Sequence, residues 1–178
     1  MSIPFYRGGF ALPVAQALRV LLSEEVARRA LDLMRLTELT FHFTHKTRDS
    51  GHSAGGVGGG AGQGERPCVP VHPSLLTQAR SNLRDLGHSD GADEIYPVEI
   101  RLVRGLDGWL FDYITDFNLG PDAERYTETD FNFLDDEHYR QGWGPMQRSE
   151  AHMLFEQWQS DFIAHCRLDC FTVIVSGN

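Results

Sequence analysis

Hydrophobic and polar residues alternate along five stretches of the chain, and this alternation predicts five β-strands. The stretches cover residues 39–45, 97–103, 109–117, 128–134 and 170–176. Short turns separate the three middle stretches, which predicts an antiparallel meander. The last stretch is apolar on both sides, and this favours a central position in the sheet.

Each predicted strand has one aromatic or aliphatic face and one polar face. Within residues 109–117 the alternation assigns the apolar face to Trp109, Phe111, Tyr113 and Phe117, and the other face to Leu110, Asp112, Ile114 and Asp116. Taken over all strands, the polar face collects Thr40, His42, Thr44, Glu99, Arg101, Asp112, Asp116, Asp130 and Asn132. Because an antiparallel sheet can leave one face in water, we expect this polar face to be exposed.

Apolar residues at helical spacing predict three amphipathic helices. They cover residues 12–36, which could break near Ser23, residues 73–86, and a segment capped at its start by Ser149. Glycine and polar residues dominate the chain after the first strand, and we expect a flexible insertion at about 47–70. The sequence therefore predicts a single α+β domain, an antiparallel sheet of about five or more strands with helices packed on one face.

Composition narrows the class of protein. The 178 residues are 41% hydrophobic, which is enough for one core, and the formal net charge is -9. An acidic surface repels phosphate backbones, so nucleic-acid binding is disfavoured. The three cysteines do not suggest a disulfide framework, and no apolar run approaches the length of a membrane span. Pro13 and Gln16 interrupt the only stretch that resembles a signal peptide, so we expect a cytoplasmic protein without membrane partners.

Four polar side chains are weak candidates for a metal site, and they are Asp112, Asp116, Asp130 and His42. Asp112 and Asp116 are four residues apart, about 13 Å along a strand, which is too far to share a proton. Asp130 on a neighbouring strand could approach either one, and a carboxylate cluster could hold a divalent cation. A solvated sheet face explains the same residues, and the sequence predicts no cofactor.

Other chemical candidates have simpler explanations. His42 and His45 are three residues apart on a strand, so they point to opposite faces and do not form a ready metal site. Cys166 and Cys170 are best interpreted as buried, inert thiols. Residues 135–138 combine three acids with a histidine, which suits acid–base chemistry or a polar turn. No nucleophile motif is present, and we assign no catalytic residue.

Trp143 lies in a segment rich in glycine and proline. It is either an anchor for a partner or a plug over the edge of the core. Residues 107–137 contain ten acidic residues and one basic residue, Arg125, and such an acidic face suits a basic protein partner. The weak candidates for partner binding are therefore Asp112, Asp116, Asp130 and Trp143.

Residues 96–102, 109–117 and 130–133 read Tyr-Pro-Val-Glu-Ile-Arg-Leu, Trp-Leu-Phe-Asp-Tyr-Ile-Thr-Asp-Phe and Asp-Phe-Asn-Phe. They resemble a family of small bacterial proteins catalogued as a domain of unknown function, which is carried largely by gammaproteobacteria, including on mobile genomic islands. The family's fold is similar to that of the acidic mitochondrial matrix protein that binds the globular heads of a complement component. The resemblance implies an antiparallel sheet flanked by helices and transfers no catalytic residue.

Three functional hypotheses remain. The first is a non-enzymatic interaction protein that binds a protein partner, or itself, through the acidic sheet face. The second is a metal-dependent hydrolase that uses Asp112, Asp116, Asp130 and His42. The third, suggested only by the genomic setting of the family, is a role in mobile-element biology such as defence or counter-defence.

Overall fold

The computed structural model describes residues 3–6, 12–46, 97–119 and 124–178. Its strands are β1 (Glu38–His45), β2 (Val98–Gly105), β3 (Gly108–Leu119), β4 (Arg125–Asn132), β5 (His138–Arg140), β6 (Gly144–Met146) and β7 (Phe171–Gly177). Its helices are α1 (Gln16–Arg28) and α2 (Arg148–Arg167). The insertion expected at 47–70 and the helix expected at 73–86 lie outside the described residues.

All seven strands form one antiparallel sheet in the order β6-β5-β4-β3-β2-β1-β7. The predicted antiparallel sheet and the meander from β2 to β4 are confirmed. In the part of the chain that is described, the fold is mostly sheet and has two helices. Neither of these helices is long and apolar enough to cross a membrane.

The first helix is shorter than the sequence predicts. It ends at Arg28, and Ala30 follows with a φ of 50°, a left-handed conformation that stops helical propagation. The possible break near Ser23 does not occur, since α1 continues through this residue. Ser23 instead accepts a hydrogen bond at 3.2 Å from the backbone N–H of Ile3, so its hydroxyl anchors the N-terminal segment to α1.

The second helix begins one residue before the predicted cap. Its N-cap is Gln147, and the prediction of Ser149 is wrong. The Glu150 carboxylate accepts a hydrogen bond at 3.0 Å from the backbone N–H of Gln147. This interaction satisfies the backbone donor of the N-cap residue, which is the part that the N3 glutamate performs in a capping box.

Among the described strands, β7 lies at the edge of the sheet, so the predicted central position is wrong for this part of the chain. Its carbonyl at Val173 faces away from β1 and accepts a hydrogen bond from the Arg29 guanidinium. The Glu25 carboxylate, which is buried, holds the same guanidinium at 2.6 Å. Ile174 accounts for the misleading apolar pattern, because its side chain is 59% exposed on the opposite side of the strand.

The core lies between the sheet and the two helices. Phe155 of α2 packs edge-on against Phe131 of β4 with ring centroids 5.0 Å apart, and Phe162 packs likewise against Phe43 of β1 at 4.8 Å. Trp158 stacks between the two helix rings. The apolar positions that share this side of the sheet include Phe41, Ile100, Phe111, Phe131 and Val173, as the alternation predicts.

Two β-bulges interrupt the pairing of β3 with its neighbours, and the first changes which side chains of β3 share a face. The first pairs Leu102 with Phe111 and Arg101 with Tyr113, which leaves Asp112 as the extra residue. Beyond it, Ile114 is fully buried in the core and Tyr113 projects to the polar side, the reverse of the prediction. The error arises because simple alternation assumes regular pairing. The extra residue of a bulge shifts every following side chain to the face opposite the predicted one.

Candidate functional site

A row of side chains crosses five strands on the side of the sheet opposite the core. Pairing aligns His42, Glu99, Thr115, Asp130 and Tyr139, one from each strand between β1 and β5. Directly paired residues project to the same side of a sheet. We call this side the polar sheet face.

Glu99 is the centre of a hydrogen-bonded network on the polar sheet face. Its Oε1 accepts a hydrogen bond at 2.5 Å from the Tyr113 hydroxyl. Its Oε2 lies 3.0 Å from His42 Nδ1 and 3.3 Å from Arg125 Nη2. Burial, followed by the bond to Glu99, raises the pKa of Tyr113 well above its usual range, so the phenol keeps its proton and donates.

Two groups on the polar sheet face combine a carboxylate, an aromatic ring and a guanidinium. Arg125 lies 3.5 Å from the centroid of the Phe117 ring while it pairs with Glu99. Arg101 lies 6.0 Å from the centroid of the Tyr113 ring, and its Nε is 3.4 Å from Asp112 Oδ2. Both guanidinium groups therefore have a ring and a carboxylate from this chain.

Arg101 also contacts a second carboxylate, that of Glu38, beside the first bulge. Its Nη2 lies 2.6 Å from Glu38 Oε1, and this hydrogen bond raises the pKa of Arg101. Burial raises the pKa of Asp112, although the Coulombic attraction of Arg101 acts in the opposite direction. The acidic character expected for this part of the face is thus largely matched by arginine.

Asp130 has a different environment from Glu99 and Asp112. Its Oδ1 accepts a hydrogen bond at 2.5 Å from the Thr115 hydroxyl. Among the described residues, the ion pairs of the polar sheet face involve Glu38, Glu99 and Asp112, and none reaches Asp130. Burial raises the pKa of Asp130, because a desolvated carboxylate is less stable when ionised.

A shallow depression of about 590 Å³ opens over Asp130. Four aromatic side chains line it, and they are Tyr113, Phe117, Tyr126 and Tyr139. Glu99, Thr115 and Gln141 contribute polar atoms to the same lining. We call this the Asp130 depression, and it combines exposed rings with a half-buried carboxylate.

The structure does not bring together the four residues predicted for a metal site. Asp112, Asp130 and His42 belong to the polar sheet face, whereas Asp116 pairs with Val98 and Thr129 and so shares their side of the sheet, towards the core. Within the described ranges, no three His, Cys, Asp or Glu side chains are grouped so that they could hold a metal ion. The hydrolase hypothesis therefore has no assembled ligand set in these residues.

The acidic run at 135–138 serves the junction between β5 and α2. His138 is buried on the core side, with Nε2 at 3.3 Å from Asp136 Oδ1. Asp136 also pairs with Arg148 at the start of α2, and this hydrogen bond lowers the pKa of Asp136. These side chains do not face the Asp130 depression, so they do not supply acid–base chemistry there.

Trp143 lies in the turn between β5 and β6. Gly142 and Gly144 flank it with φ values of 80° and 81°, and these conformations favour glycine. The Trp143 side chain is 61% exposed, with the Arg140 guanidinium 4.4 Å from a ring centroid. The plug interpretation is therefore wrong, and the anchor interpretation stays a prediction.

A larger cleft of about 1010 Å³ lies between the helices and the end of β7. Its charged side chains are largely matched, since Arg28 and Arg29 pair with Glu25, and Lys46 pairs with Asp169. Cys166 lines the cleft, and burial raises the pKa of this thiol to about 12, which agrees with an inert role.

Comparison with known proteins defines the family. The family described as "Protein of unknown function (DUF2787)" matches residues 71–176, more than half of the chain. The chain belongs to this family. The resemblance inferred from residues 96–102, 109–117 and 130–133 is therefore confirmed. No curated protein matches this DUF2787 member.

Two solved structures share the fold of this DUF2787 member. A hypothetical protein from the VSP-II pathogenicity island of Vibrio cholerae has 20% identity and a TM-score of 0.66, over 99% of this chain and 100% of its own. A conserved hypothetical protein from the V. cholerae pathogenicity island VPI-2 has 18% identity and a TM-score of 0.60, over 95% of this chain and 98% of its own. The second shares structural homology with the human P32 protein, as the resemblance implied.

Proposed function

We propose that this DUF2787 member is a non-enzymatic protein-interaction domain that binds its partner through the polar sheet face. The observation that carries the proposal is Asp130, a desolvated carboxylate in an aromatic-lined depression that forms no ion pair with an arginine or lysine of the described chain. A buried charge is stable only when it is paired. A partner that covers the face can supply the pairing group.

The remaining surface of the face supports the same function. Tyr126 and Tyr139 are exposed by more than a third, although aromatic side chains are usually buried. Tyrosine is enriched where proteins bind one another, because one end of the side chain is apolar and the other forms hydrogen bonds. Glu99 holds the other two rings of the depression in place before a partner arrives, because it accepts a hydrogen bond from Tyr113 and pairs with the arginine that lies over Phe117.

The test uses the full chain, immobilised, and extracts of the native host. Proteins retained at low salt are identified, produced separately and measured against the wild type and two variants. We expect Asp130→Asn, which removes the charge in the depression, to weaken binding, and Asp107→Asn, which alters an exposed turn, to leave it unchanged. Affinity should also fall as salt increases. Equal binding by both variants, or no retained protein that binds when purified, would contradict the proposal.

Self-association through the same face is tested separately. Sedimentation velocity of the wild type and Asp130→Asn across a range of concentrations reports the oligomeric state. If the partner is a second copy, the wild type forms oligomers that the variant weakens. Oligomers that are equally stable in both proteins would place the self-association interface elsewhere.

A further inference from the structure

The polar sheet face repeats one arrangement of three groups. Glu99, Phe117 and Arg125 form the first example, with the guanidinium 3.3 Å from the carboxylate and 3.5 Å from the ring centroid. Asp112, Tyr113 and Arg101 form the second. In the second, the guanidinium is 3.4 Å from the carboxylate and 6.0 Å from the ring centroid, so in each example a guanidinium lies over an aromatic ring and within ion-pair distance of a carboxylate.

A third carboxylate and ring lie side by side without a guanidinium. Asp130 and Tyr139 are direct cross-strand neighbours, so their side chains project together into the Asp130 depression. The Thr115 hydroxyl donates a hydrogen bond to Asp130 Oδ1, and the Tyr139 hydroxyl donates one to Gln141 Oε1 at 2.6 Å. Both groups are thereby oriented, and the described part of the chain provides no arginine or lysine to Asp130.

We propose that the Asp130 depression binds an arginine side chain of the partner protein, with the guanidinium paired to Asp130 and stacked on Tyr139. This proposal rests on the proposed function and names the chemistry that the partner presents. The depression, of about 590 Å³, has room for one such side chain and part of its backbone.

Arginine fits this site better than lysine. A guanidinium is flat and weakly hydrated, so it can stack on a ring and bond to a carboxylate at the same time. An ammonium group is a compact, strongly hydrated charge, and it loses more solvation when it enters a half-buried site. Both of the internal examples on this face use arginine.

The probe is a set of three short peptides that differ at one residue. Gly-Arg-Gly, Gly-Lys-Gly and Gly-citrulline-Gly, all with blocked ends, are titrated into the isotope-labelled full chain and followed by backbone amide chemical shifts. Citrulline has nearly the shape of arginine without its charge. We expect saturable shifts for the arginine peptide at Thr115, Asp130 and Tyr139, and affinity at least about tenfold weaker for the other two peptides.

Variants separate the carboxylate from the ring. Asp130→Asn should lower the affinity for the arginine peptide by about tenfold or more, since a charged hydrogen-bond partner is lost. Tyr139→Phe keeps the stacking surface and should bind like the wild type, whereas Tyr139→Ala should not. Asp107→Asn is the matched control and should have no effect.

The outcomes distinguish this inference from the proposed function. If the purified partner requires Asp130 but the arginine peptide produces no saturable shift at the depression, the arginine assignment is wrong and the interaction function stands. Equal affinity for the lysine or citrulline peptide also overturns the assignment. If the arginine peptide binds but no partner depends on the face, the inference survives as a binding site and the proposed function fails.

Discussion

The environment of Asp130 favours its neutral form. Burial is the first cause of its raised pKa, and the Coulombic effect of Asp112 acts in the same direction. The hydrogen bond from Thr115 and the Coulombic effect of His138 offset this rise only in part. A group whose pKa is higher in the folded state than in the unfolded chain makes the folded protein less stable once it ionises. Such a cost is common at sites that bind ligands, where stability and function conflict.

We predict that Asp130→Asn stabilises the protein at neutral pH. The wild type loses stability as pH rises through the raised pKa of Asp130, and asparagine does not ionise. The difference in melting temperature should therefore be largest at pH 7 and disappear below the ordinary aspartate value of 3.8. Melting curves of both proteins across this pH range provide the measurement.

Asp107→Asn is the control for this experiment, because Asp107 is exposed in the turn between β2 and β3. It should match the wild type at every pH, since charges in solvent contribute little to stability. A lower melting temperature for Asp130→Asn than for wild type at pH 7 would show that Asp130 stabilises the fold when ionised. The physical basis of the proposed site would then be wrong.

Alternation could identify most of the polar sheet face, including His42, Glu99 and Asp130, because these residues lie where the strands pair regularly. It could not place Tyr113, since the bulge at Asp112 is created by pairing with β2 and leaves no local signal. The Asp130 depression was missed for the same reason. Its rings come from positions that alternation assigned to the core or left unassigned.

Among the elements, α2 contributes most of the aromatic packing on the sheet. Phe155 is fully buried and contacts Phe131, Phe133 and Trp158. Loss of a buried aromatic ring removes its transfer free energy and leaves a cavity. The helix should therefore be sensitive to truncation at this position.

We predict that Phe155→Ala lowers the free energy of unfolding by about 3–5 kcal/mol. Met153 on the same helix is 66% exposed, and Met153→Ala should change it by less than about 0.5 kcal/mol. Urea denaturation of the three proteins measures both effects. Similar values for the two variants would mean that α2 does not pack on β4 through Phe155.

The long elements were predictable because their periodicity extends over many residues. The strands β5 and β6 were not, since three residues are too few to show alternation. They form only because β4 offers an edge at Thr129–Phe131 and two glycines permit the turn between them. The shortened α1 has a similar explanation, because the left-handed Ala30 leaves no mark in the sequence.

On the scale of the whole molecule, the sheet is open, and β7 forms one of its two described edges. An unpaired edge can recruit a strand from another molecule. The Arg29 guanidinium donates a hydrogen bond to the Val173 carbonyl, which is directed away from β1. Glu25 forms an ion pair with the same guanidinium and holds it in place. The pair blocks part of the edge.

We predict that Arg29→Ala increases concentration-dependent association, because the Val173 carbonyl becomes available to another strand. The variant should also lose about 1–3 kcal/mol of stability, since the buried Glu25 loses one charged partner. Light scattering over a concentration series and denaturation measure the two effects. Arg35→Ala, at an exposed ion pair, is the control. Equal scattering by both variants would show that Arg29 does not protect the edge.

The fold of the whole molecule could be anticipated from the sequence, both from alternation and from the family resemblance. The edge position of β7 could not be anticipated. Ile174 is apolar, and an apolar residue gives the same pattern in the sequence whether its side chain is buried or exposed to water. The candidate site was less accessible still, since the residues of the depression come from four strands and none of them forms a local motif.

Asp112, the extra residue in β3, also marks a position where the chain can lose a residue without a change of register. If Asp112 were deleted, Phe111 and Tyr113 would become neighbours and keep the orientations they already have opposite Leu102 and Arg101. Deletion of Ile114 or Thr115 would instead turn the rest of the strand over. Relatives can therefore lose a residue at Asp112 and keep both sides of the sheet, at the expense of one partner for Arg101.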